Sequence, residues 1–95
     1  MIPQNLEELT QCLTDWRAEL AKPDQPKKDI DYGVSIANTV DRFIAALRNN
    51  DLRAAREEWE IYAYQRTDTY LAPTSASRAV ADAVGRIIRE LQYLR

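Results

Sequence analysis

The sequence predicts an all-α fold, a compact antiparallel four-helix bundle formed by a single domain over residues 1–95. Three observations predict it. Apolar residues recur at steps of three and four in four separate stretches, which is the period of one helix face. Two of the three connections between these stretches are short, and short connections favour antiparallel neighbours. No segment alternates apolar and polar residues over the length of a strand, and only two Gly and four Pro are present, too few turn formers for many short elements.

The first helix is expected over about residues 5–21, with Leu6, Leu9, Leu13, Trp16 and Leu20 on one stripe. Asn5 followed by Glu8 resembles a capping box, in which the two side chains satisfy free first-turn N–H groups reciprocally. Pro23 and Pro26 close this helix, since each lacks an N–H and disfavours helix in the residue before it. Lys22 to Asp31 reads as a polar connector. The second helix then spans about 31–48, with Ile36, Ala37, Val40, Phe43, Ile44 and Leu47 as its apolar face.

Asn49-Asn50-Asp51 forms the next turn, and Asp51 is a favourable N-cap for a third helix over about 51–70. Leu52, Ala55, Trp59, Tyr62 and Ala63 mark its inner side. Ala72-Pro73 stops it. Thr74 or Ser75 caps a fourth helix over about 75–94, lined by Val80, Val84, Ile87, Ile88, Leu91 and Leu94. Gly85 falls inside that helix, where it costs up to about 1 kcal/mol against Ala. Close approach of a neighbouring backbone within the bundle is the expected reason, and a contact with another chain would need the same bare position.

Composition removes several classes of chemistry. There is no His and one Cys, so Ser–His and Cys–His nucleophile systems and the Glu-x-x-His motif of di-iron bundles are absent. One Cys cannot form a zinc cluster, and Gly33 and Gly85 stand alone rather than in a phosphate loop. No metal, no cofactor and no enzymatic activity are expected. Glu57, Glu58 and Glu60 read as a solvated stripe balanced by Arg53 and Arg56 at i,i+4. Cys12, at the edge of the first stripe, reads as an inert half-buried thiol, and a lone thiol fits a reducing compartment. No apolar run approaches the roughly 18 residues that span a bilayer. The first residues lack the features of a secretory signal, so a cytoplasmic protein is expected.

The net charge is −2, but it is unevenly spread. Residues 1–41 carry four basic and eight acidic side chains, and residues 42–95 carry nine basic, all Arg, and seven acidic. This asymmetry is mild for a nucleic-acid domain. Trp16 and Trp59 lie on core stripes and are expected to anchor packing, with a binding hot spot as the sharper alternative.

Two functions are compatible with these features. The first is a non-catalytic protein–protein interaction module, a small accessory, regulatory, assembly or inhibitor protein. Ile61, Tyr64 and Tyr70, with Arg66 beside them, would be its partner-binding residues, because they give the third helix apolar and aromatic groups away from its core stripe. A homodimer is compatible with that surplus. The alternative is a helical subunit that contacts nucleic acid inside a larger complex. It would use Arg78, Arg86, Arg89 and Arg95, joined by Arg42 and Arg48. Against that role, Asp82, Arg86 and Glu90 are spaced as a salt-bridge ladder within the fourth helix.

Overall fold

A computed structural model of the chain describes residues 5–22, 24–68 and 74–93. Four helices fill them: α1 (Leu6–Leu20), α2 (Lys27–Arg48), α3 (Leu52–Asp68) and α4 (Ser75–Tyr93). Among the described residues there is no strand.

Local chemistry sets most of the helix ends. At the α2–α3 corner Asn50 adopts φ 56°, the left-handed conformation that Asn tolerates better than most residues. The amide of Asp51 bonds back to Ala46 O at 2.9 Å and that of Asn50 to Leu47 O at 3.0 Å, the Schellman arrangement that satisfies the last carbonyls. Asp51 then caps α3, its Oδ1 accepting from the Ala54 amide at 3.1 Å. At α4, Thr74 Oγ1 accepts from the Ser77 amide at 3.1 Å while Ser77 Oγ accepts from the Thr74 amide at 2.9 Å. This is a reciprocal box with Ser in the place usually held by Glu.

Two expected ends are corrected. Asn5 makes no side-chain capping bond; its backbone is near-helical, φ −87° and ψ 7°, so its side chain is not aimed at the first-turn amides. Glu8, its expected partner, is bonded to Arg86 of α4 instead. Helix α2 starts at Lys27, four residues before the expected 31, directly after Pro26. Pro26 holds φ −59° and ψ 136°, and its carbonyl accepts from the amides of Asp29 at 3.0 Å and Ile30 at 3.2 Å. A proline needs no N–H at the start of a helix, so the residue expected to end α1 opens α2.

Polar bonds between helices show the directions. Arg17 reaches Asn38 at 3.0 Å and Asp41 at 3.4 Å, while Arg48 reaches Thr10 at 3.2 Å and Glu7 at 3.5 Å, so α1 and α2 run antiparallel. Arg42 grips both oxygens of Glu58, at 3.0 and 3.1 Å, and Gln65 donates to Ser35 Oγ at 3.2 Å, so α2 and α3 do too. The buried interior is built from Leu6, Leu9 and Trp16 of α1, Val40, Phe43 and Leu47 of α2, and Val80, Val84 and Ile87 of α4. Helix α3 adds only Ala55 and Tyr62 to the buried core among the described residues. Each helix turns its apolar face inward, since this is the surface whose removal from water drives folding.

Helix α3 packs on α2, α1 joins α2 to α4, and α3 and α4 do not pack backbone to backbone among the described residues. Gly85 is a further correction: a Cβ built there would meet nothing within 4 Å among the described residues, so no described backbone in the bundle requires glycine. Gly33 is the tight position, where a Cβ would lie 2.5 Å from Leu20 Cδ2.

Candidate protein-binding surfaces on the third helix

Successive residues of a helix point about 100° apart, and this divides α3 into an inner side and two flanks. The inner side carries Ala55 and Tyr62, both buried. Glu58 and Gln65 follow on the side bonded to α2. Ile61 lies three residues after Glu58 and four before Gln65, at the edge of the α2 seam. It is 43% exposed, and Tyr64, one step further out, is 68% exposed. An apolar side chain and an aromatic one therefore share the first flank.

Arg66 does not belong with them. It is about 140° round the helix from Ile61 and about 160° from Tyr64. Its guanidinium lies over the Tyr62 ring, 5.7 Å from the centroid, a separation at which the ring quadrupole attracts a cation. Burial pushes the Tyr62 hydroxyl up, Asp82 of α4 pushes the same way, and the charge of Arg66 opposes them. Tyr70 lies outside the described residues.

The second flank was expected to be core. There Leu52 is 47% exposed and Trp59 half-buried, facing Ile88 and Leu91 of α4 across a groove of about 380 Å³. Arg56, Glu60 and Gln92 border it. Apolar lining with a few polar groups at the edge is the usual make-up of a binding cleft. Trp59, Ile88 and Leu91 still pack against the core from this side, and sequence periodicity could not tell their half-burial from full burial, because a residue on an open seam recurs with the same period as one on a closed seam. Trp16, in contrast, is 3% exposed and serves as the expected packing anchor.

The Arg face is partly occupied. Arg86 is bonded to Glu8 of α1, an interhelical pair that the spacing within α4 does not predict. Arg89 Nε donates to the carbonyl of Gly85 in its own helix at 3.4 Å. Arg78 is exposed, and Arg95 lies outside the described residues. Arg42 and Arg48 are in ion pairs with Glu58 and Glu7.

The acidic stripe of α3 also divides. Glu57 pairs with Arg53 at 3.7 Å as expected, but Glu58 is turned to α2 and only 16% exposed. Cys12 is half-buried. Burial, then Glu8 and Asp15, pushes its thiol up more than Arg86 lowers it, so the protonated form is favoured. Among the described residues no group of three or more His, Cys, Asp or Glu is placed to hold a metal ion, and no helix is long and apolar enough to cross a membrane. Comparisons with protein-family models, curated proteins and solved structures find no match for the chain.

Proposed function

We propose that the chain is a non-catalytic protein-interaction module, a small accessory, regulatory, assembly or inhibitor protein, in which α3 is the binding helix. One observation carries this reading. Among the described residues α3 packs backbone to backbone on α2 and not on α4, and it keeps apolar groups accessible on both flanks. A helix that served only to fill the bundle would need one apolar face. Ile61 and Tyr64 are the residues for a protein partner. Tyr brings large contact area with a polar tip and is enriched at interfaces for that reason. The engagement of Arg86, Arg42 and Arg48 in ion pairs with other helices favours this reading over an Arg face for nucleic acid, since a guanidinium already paired must break that contact to take a phosphate. The module works in the cytoplasm, where a lone thiol stays reduced.

Affinity capture from the cell's own lysate, with and without nuclease, tests the proposal. A defined protein partner should survive nuclease on the wild type and be lost with Ile61→Asp or Tyr64→Ala. Both variants should keep the wild-type melting temperature to within a few degrees, because surface changes usually stay within about 0.5 kcal/mol. Capture that disappears with nuclease, or substitutions that unfold the chain, would overturn the assignment.

A further inference from the structure

We propose that the groove between α3 and α4 is closed by a second copy of this chain, with α3 lying antiparallel to its symmetry mate. The inference rests on α3 being the binding helix and assigns the occupant of its second flank. Leu52, Trp59, Ile88 and Leu91 form the apolar strip, and Arg56, Glu60 and Gln92 border it. What identifies the occupant is the charge of that border. Arg56 and Glu60 are opposite in sign, four residues apart, and among the described residues neither is in an ion pair. Their neighbours Arg53 and Glu57 pair with each other, and Glu58 pairs with Arg42.

Under a two-fold axis, whatever residue i meets on its mate, that residue meets i in return. An axis passing α3 midway between Arg56 and Glu60 sets each Arg56 opposite the mate's Glu60, twice per dimer. The separation is about 6 Å along the helix, from a rise of 1.5 Å per residue. The same axis brings Trp59 beside its counterpart, where an aromatic pair adds to area burial. A border of one sign would repel its own copy. A border with one charge of each sign and a neutral Gln92 offers no net attraction to an acidic or a basic peptide, but it matches itself when reversed.

Sedimentation equilibrium on the full chain, over micromolar to about 100 μM, tests this with charge reversals. The wild type should dimerise. Arg56→Glu and Glu60→Arg should each weaken the dimer by about tenfold or more, because each converts two attractive pairs into repulsive ones. The double variant Arg56→Glu/Glu60→Arg should restore it, since exchanged charges are again complementary. Leu52→Lys should also dissociate the dimer while leaving the helical circular-dichroism signal intact. A wild type that stays monomeric throughout this range, or single reversals without effect, would overturn the proposal, as would a double variant that is folded but not restored. Tyr64→Ala should leave the dimer unchanged. If Tyr64→Ala alone dissociates it, the copy sits on the outer flank and the groove assignment is overturned, while α3 stands as the binding helix. Loss of lysate capture by Ile61→Asp with the dimer intact supports both surfaces separately.

Discussion

Replacing Gly85 by alanine should raise thermal stability and replacing Gly33 should not, although both lie inside helices and both gain the same intrinsic preference. Alanine is favoured over glycine in a helix interior by about 0.8–1.0 kcal/mol, largely because the unfolded chain has fewer conformations to lose. At Gly85 that gain is unopposed, since a Cβ meets nothing within 4 Å among the described residues and φ is not positive. For a chain of this size about 1 kcal/mol corresponds to a rise of roughly 4–8 °C. At Gly33 the new methyl would lie 2.5 Å from Leu20 Cδ2 and 3.3 Å from Leu20 Cδ1. Leu20 is 7% exposed and part of the core, so it has to leave its position. Such overpacking costs about 1–3 kcal/mol, which turns the gain into a net loss of up to about 2 kcal/mol. Thermal and urea unfolding followed by helical circular dichroism, at one protein concentration, measures both. A Gly85→Ala variant that melts below the wild type would refute the reasoning, for it would mean that the folded protein needs the bare position. A Gly33→Ala variant as stable as Gly85→Ala would show that Leu20 yields at no cost.

Capping supplies a second contrast. Asp51→Ala should cost about 1 kcal/mol by removing the bond to the Ala54 amide, whereas Asn5→Ala should leave the urea midpoint close to unchanged, because Asn5 makes no capping bond. The buried Tyr62 gives a pH dependence. Its hydroxyl is pushed above the ordinary phenol value of about 10, chiefly by burial, so the fold favours the neutral form. The stability this contributes is present below about pH 10 and is lost as pH rises through the folded value. Phenolate absorbance should show a late-titrating step that Tyr62→Phe removes.

What the sequence determined by itself is what neighbouring residues along the chain decide. The helical stripes, the buried anchor Trp16, the Asn49–Asp51 turn, and the caps at Asp51 and Thr74 depend on bonds and periods spanning a few residues, and all were legible. The four-helix architecture followed from the stripes and the short corners. The start of α2 was misplaced because Pro26 can end one helix or open the next, and only the carbonyl it offers to Asp29 and Ile30 shows which. Ile61 and Tyr64 were legible as groups turned from the core stripe, and their exposure agrees.

Tertiary structure decided what covers each face. Periodicity states which side of a helix is apolar and is silent on how far another element closes over it, so Leu52, Trp59, Ile88 and Leu91 read alike, whereas Trp59, Ile88 and Leu91 are half-buried against the core and Leu52 is 47% exposed. Glu8 meets Arg86 across 78 positions of sequence, a contact no local spacing encodes. Glu58 was drawn to Arg42 by a charge partner that only the packed helices bring near, whereas Arg66 over Tyr62 is an i,i+4 contact within α3 itself. The same holds for Gly85. A missing side chain signals space, but whether that space is filled is a property of the assembled surfaces.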